Sequence, residues 1–211
     1  MDDRMRSPLE RLRQAQAIAQ TTRQRAIERW QAAGLAGLLA LQRELWTEGD
    51  RAIAQSLANH PVACDRGCAW CCYLTVPVVG LEARAIADWL ATLPDSQQQQ
   101  FRQRLTTTAD RLQAIDPAER LQQRIPCAFL QGDGSCGIYP VRPATCRSHH
   151  AARAIDCERG WETAQWPARS VPTVNFELEA AMAGLQAACE TCQVPIAVGE
   201  LHGAVVATIA R

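Results

Sequence analysis

A mainly α fold, with only small irregular or β-hairpin elements, is what the sequence predicts, and two observations carry that expectation. Apolar residues recur at helical spacing through most of the chain, and several of these stretches open on residues that start helices. The β-branched stretch from Tyr73 to Gly80, YLTVPVVG, is short and interrupted by Pro77, which suits a brief extended segment rather than a central strand.

The elements follow in order. Ser7-Pro8-Leu9-Glu10 reads as a helix start, with Ser7 as N-cap, Pro8 in the first turn and Glu10 closing a capping box. Ile27, Trp30, Leu35, Leu38, Leu39 and Leu45 continue at roughly helical spacing, and Gly34 and Gly37 are the places where a helix would break. Residues 8–59 therefore read as one broken helix or two, packed on their own domain in preference to serving as a coil that docks a partner. LEARAIADWLATL puts Ile86, Leu90 and Leu93 on one helical face, and Pro94-Asp95-Ser96 then breaks and recaps the chain. Phe101, Leu105, Leu112 and Ile115 mark the next helix, whose solvated first turn holds the glutamines at 97–100. Leu178, Met182, Leu185 and Cys189 share a face further on, and Leu201, Val205 and Ile209 mark a short last helix.

With 211 residues the chain is long enough to bury a real core. The expected organisation is a single domain with an N-terminal helical extension: a helical region over 1–60, a cysteine-cluster domain over 61–160, and C-terminal helices over 161–211 packing on it. A formal net charge of zero gives no reason to expect a nucleic-acid partner. All 22 basic residues are Arg, so a lysine Schiff base, a P-loop and a lysine general base are excluded. No run of about 18 apolar residues and no signal-peptide core is present, so a cytoplasmic location without membrane contact is expected. Reducing conditions there disfavour structural disulfides, and ten cysteines read as metal ligands or redox groups.

Four of those cysteines fall inside nine residues, CDRGCAWCC, as Cys64, Cys68, Cys71 and Cys72. Short separations cost little loop entropy to close, so three or four of these thiolates can reach one centre. In a helix Cys64, Cys68 and Cys71 would share a face and could be small buried apolar groups. Gly67 and Pro61 argue instead for an irregular loop, and adjacent Cys71 and Cys72 point in different directions, so they could serve two metals or divide between ligation and packing. A second cluster, PCAFLQGDGSCGIYPVRPATCR, contains Cys127, Cys136 and Cys146, and Cys157 follows in AIDC. Gly132-Asp133-Gly134 signals a tight turn, which puts Cys127 and Cys136 on opposite arms of a small hairpin. Eight thiolates can hold two zinc ions, or a four-cysteine iron-sulfur cluster with sulfur to spare, and thereby staple the domain. Such a site carries net negative charge, which Arg66, Arg142, Arg147 and Arg153 are close enough in sequence to offset.

These motifs carry a resemblance. CDRGCAWCC, VPVVGLEARAIADWL and CAFLQGDGSCGIYPVRPATCR, in that order, resemble the YkgJ-type cysteine-cluster family, to which zinc or iron chelation is ascribed and which is grouped with flagellin N-methylase. The resemblance spans roughly 64–157. It implies that Cys64, Cys68, Cys71, Cys72, Cys127, Cys136 and Cys146 chelate, with Arg142, Pro143 and Arg147 as companions and Cys157 as an addition. Glu82 also matches a family position, although a helix-capping carboxylate is its simpler reading.

Other signals are bounded more tightly. The Cys64, Cys68, Cys71 spacing coincides with the radical S-adenosylmethionine signature, but the chain lacks the strand and helix alternation of the barrel such enzymes need. Cys189 and Cys192 have chelating spacing, yet Cys189 continues an apolar helix face, so packing or a redox-labile pair is the expectation. His149 and His150 follow Cys146-Arg147 and read as solvated residues or as ligands or acid-base groups. Three functions remain: a metal-binding protein holding zinc or an iron-sulfur cluster; an iron-sulfur oxidoreductase or, through the flagellin relative, a protein-lysine methyl transferase; and a metal-stabilised interaction module whose N-terminal helices dock a partner.

Overall fold

A computed structural model describes residues 7–58, 62–65, 67–116, 119–165, 175–196 and 198–210. The chain forms two compact units, one from 1–61 with 171–196 and one from 62–170 with 197–211. Among the described residues the fold is mainly helical with one small antiparallel pair of strands.

The first unit is built from α1 (Pro8–Leu57) and α7 (Asn175–Thr191). The capping box forms as the sequence requires: the Ser7 hydroxyl accepts the Glu10 backbone N–H at 3.3 Å, and the Glu10 carboxylate accepts the Ser7 N–H at 2.7 Å. At Gly34 the backbone leaves the helical region, with φ +56° and ψ −141°, a conformation essentially restricted to glycine. The chain folds back there. Arg29 and Glu44 meet at 3.0 Å, whereas 15 residues of straight helix would hold them about 22 Å apart. Gly37 lets the two arms touch, because a Cβ there would collide with the carbonyl of Arg29. Leu178, Met182, Leu185 and Cys189 are all buried on α7, which packs against α1. Gly184 and Gly49 allow close approach between these helices, the first at the Ala19 carbonyl and the second at the Leu178 side chain.

The second unit carries the cysteine clusters. Its apolar core joins Ile86 and Leu90 of α2 (Gly80–Leu90), Phe101 and Leu105 of α3 (Asp95–Gln113), Phe129 and Ile138 of the loops, and Leu201 and Val205 of α8 (Leu201–Ile209). Burying a side chain such as Phe129 contributes about 2–3 kcal/mol each. The strands β1 (Pro77–Val78) and β2 (Gly199–Glu200) pair antiparallel, with Pro77 opposite Glu200 and Val78 opposite Gly199. YLTVPVVG thus yields a two-residue strand. Three short helices complete the unit: α4 (Glu119–Gln122), α5 (Ala144–Ser148) and α6 (Ala154–Thr163). Of residues 161–211, those at 175–196 belong to the first unit and those at 161–165 and 198–210 to the second.

Candidate metal centre

The first cysteine segment is a loop closed by backbone turns. The Cys68 N–H donates to the Asp65 carbonyl at 3.0 Å, Gly67 takes φ +92°, and a 3-10 turn over Trp70–Tyr73 presents Cys71 and Cys72. Pro61 and Arg66 lie outside the described residues. The second segment contains the hairpin that Gly132-Asp133-Gly134 signals. Leu130 and Cys136 form an antiparallel bridge, and the Gln131 N–H reaches the Ser135 carbonyl at 2.8 Å. Gly134 has φ +80°, and Asp133 accepts from the Ser135 backbone and hydroxyl at 3.0 and 2.6 Å. Cys136 sits on the returning arm and Cys127 just ahead of the outgoing one, while Cys146 lies on α5 and Cys157 on α6.

The two segments meet backbone to backbone. The Cys127 N–H donates to the Cys72 carbonyl at 2.7 Å. At the other end Gly134 packs so tightly on Gly67 that a Cβ at Gly134 would lie 2.5 Å from the Gly67 carbonyl oxygen. Cys64 is tied to the segment after α5: the Ala63 N–H donates to the Ala151 carbonyl at 2.9 Å, and the Ala151 N–H donates to Cys64 Sγ at 3.2 Å. Trp161 on α6 packs against Trp70 and Tyr73, which flank the cysteine pair, at centroid distances of 5.4 and 5.7 Å.

All ten cysteines are free thiols, and the eight of the two clusters sort into neighbouring groups. The Cys72 thiol donates to Cys71, which lowers the Cys71 pKa and raises that of Cys72. Burial pushes Cys127 up to about 12, with Cys136 adding to the rise, and lifts Cys146 well above its ordinary value, with Cys127, Cys71 and Cys136 adding to it. Burial also raises Cys136. Cys64 is raised by burial and by Cys68 and Cys71, and Cys157 is pushed up to about 11 by burial and then by Cys64, Cys68 and Cys71. One group is therefore Cys71, Cys72, Cys127, Cys136 and Cys146. The other is Cys64, Cys68 and Cys157, with Cys71 adjoining both. Among the described residues no three His, Cys, Asp or Glu side chains are gathered closely enough to hold a metal ion as they stand.

A family model described as "Putative zinc- or iron-chelating domain", named CxxCxxCC, matches residues 63–193, more than half of the chain. The chain belongs to the CxxCxxCC family. No curated protein and no solved structure matches it. The family match extends past Cys157 through Cys189 and Cys192. In this CxxCxxCC chain Cys189 is buried on α7 in the first unit, its thiol pushed up to about 12 by burial first and then by Cys192.

Charge around the thiols is distributed differently from its sequence neighbours. Arg142 faces them: its charge lowers the pKa of both Cys71 and Cys136, its guanidinium lies 3.9 Å over the Tyr139 ring, and its buried Nε has no hydrogen-bond partner among the described residues. Arg147, expected to offset thiolate charge, is buried on α5 and donates to the carbonyls of Arg142 and Pro140, at 2.8 and 2.7 Å. Arg153 is exposed and pairs with Asp156. Glu82 is the capping carboxylate, accepting the N–H of Val79 at 3.1 Å and of Ala144 at 2.7 Å, so it ties the start of α2 to the start of α5. His149 and His150 are partly buried, which lowers the pKa of both.

Three residues escaped the sequence reading: Arg120, Glu200 and His202. Arg120 Nη1 donates to Glu200 Oε1 at 2.8 Å, yet its buried Nε and Nη2 have no hydrogen-bond partner among the described residues. The signal was available as a histidine inside the otherwise apolar LHGAVVATI. The donor set fits a zinc or iron centre: thiolates are the soft ligands these metals take, and the orphaned guanidinium donors of Arg120 and Arg142 suit a group of net negative charge.

Proposed function

We propose that this chain is a metal-chelating protein of the YkgJ type, holding zinc or an iron-sulfur cluster through thiolates of Cys64, Cys68, Cys71, Cys72, Cys127, Cys136, Cys146 and Cys157. The observation that supports the reading is the docking of the two cysteine segments, Cys127 N–H on the Cys72 carbonyl and Gly134 on Gly67, which sets the two cysteine-bearing backbones against each other without any covalent link. A bound cation would displace protons from the thiols that ligate it. Metal would supply the charge that makes so many adjacent thiolates tolerable, and the chain's own part is to orient sulfur and present Arg142 and Arg120 beside it.

Metal analysis with an absorption spectrum on anaerobically purified full-length protein tests this. Stoichiometric zinc in colourless protein, or iron with a brown charge-transfer spectrum, is expected. Purification without metal, together with failure to take up zinc or iron in reducing conditions, overturns it. A cytoplasmic location is part of the same proposal, since reduced thiols are what such a centre needs.

A further inference from the structure

A polar trio, two of its members buried and the third, Glu200, half-buried, is hydrogen-bonded to the residue that follows Cys127. Arg120, on α4, is 1% exposed and donates from Nη1 to Glu200 Oε1 at 2.8 Å. The same Glu200 oxygen accepts from His202 Nδ1 at 2.7 Å, while Oε2 takes the His202 backbone N–H at 2.8 Å. His202 is fully buried, and its Nε2 accepts the backbone N–H of Ala128 at 3.0 Å. Ala128 follows Cys127, whose own N–H is spent on the Cys72 carbonyl. The contacts thus run from α4 through β2 and the first turn of α8 to the backbone that carries a candidate ligand. Each link is satisfied except at the guanidinium, where Nε and Nη2 are buried without a hydrogen-bond partner among the described residues. Buried donors of this kind are rarely left without a partner, and a negatively charged group is what they suit.

We infer that Arg120, Glu200 and His202 form a positioning device for the Cys127 side of the thiolate centre: His202 fixes the backbone on which Cys127 rides, and Arg120 offers N–H donors and positive charge to sulfur there. The inference rests on the metal-chelating reading above. Glu200 is the link, since it orients both the ring of His202 and the fork of Arg120.

The test is a Co2+ titration of reduced, full-length protein, read by the thiolate-to-cobalt charge-transfer band. Outer partners of metal ligands typically contribute about 10- to 100-fold in affinity, and R120Q and H202L should each lose about that much. R120K keeps the charge and H202Q keeps an acceptor for the Ala128 N–H, so both should recover most of the affinity. R120Q and R120K should both shift the band, because the hydrogen bonding at sulfur changes, whereas a residue that merely supports the fold would leave its energy alone. Wild-type affinity and an unmoved band in R120Q and H202L overturn the inference. If R120Q does not fold, an unshifted band in R120K overturns it. A wild-type protein that gives no charge-transfer band overturns the metal reading itself, and with it this inference.

Discussion

Single side chains do two kinds of work in the cysteine unit: some present sulfur, and others hold the presenting backbone. Glu82 is of the second kind, a 2% exposed carboxylate whose role is to accept the N–H groups of Val79 and Ala144. E82Q weakens both charge-assisted bonds and should cost about 2 kcal/mol of unfolding free energy, measured by denaturant titration. Glu200 provides a pH test. Burial alone would raise its carboxyl pKa, but the hydrogen bond from His202 and the charge of Arg120 outweigh that and leave it below the ordinary 4.5. A carboxyl held lower in the folded than in the unfolded chain stabilises the fold above its unfolded pKa and stops doing so as pH falls through the folded value. Wild-type stability should therefore drop below about pH 4.5 more steeply than that of E200Q, as read by thermal unfolding across pH. Cys189 and Cys192 lie in the other unit, and replacing both by Ser should leave metal stoichiometry unchanged; loss of a full equivalent would make them ligands.

At the scale of elements, glycine decides where segments touch. Gly134 combines φ +80° with a Cβ position 2.5 Å from the Gly67 carbonyl, a backbone atom that no rotamer can move. G134A should push the two cysteine loops apart, costing about 1–3 kcal/mol in stability and weakening metal binding, whereas G132A meets open space and should be near neutral in this respect. Comparing the two variants by metal titration separates loop docking from loop flexibility. The short elements were hardest to read from sequence. Trp70–Tyr73 forms its 3-10 turn, and β1 its two-residue strand, because partners far along the chain complete them: Cys127 on Cys72, and Glu200 opposite Pro77. No local period announces such pairing. The long helices were legible because apolar spacing, the Ser7 capping box and the break at Gly34 each act over a few residues.

The whole molecule has two units with unequal dependence on the cysteines. One is held by helix packing of α1 on α7; the other places Cys127, Cys136 and Cys146 against the margin of its apolar core. Removing metal by chelation, or C68S, should therefore raise hydrogen exchange first across 62–80 and 125–158, while 178–189 stays protected. Unchanged exchange in both cysteine segments would mean that the fold is preformed and the metal contributes little to its stability. No helix among the described residues is long and apolar enough to cross a membrane.

By itself the sequence determined the helices, the break at Gly34, the hairpin at Gly132-Asp133-Gly134 and the cysteines as the place of interest, because periodicity, turn chemistry and ligand spacing are local properties. The tertiary structure alone decided which thiols are neighbours, that Arg142 faces them, and that Arg120, Glu200 and His202 join at Ala128. Those outcomes depend on contacts between residues some 70 to 80 positions apart, such as Ala128 with His202 and Arg120 with Glu200. Spacing along a chain carries no information about which distant partner a buried donor will find; burial does, because each polar group taken from water must be matched by whatever the fold brings to it.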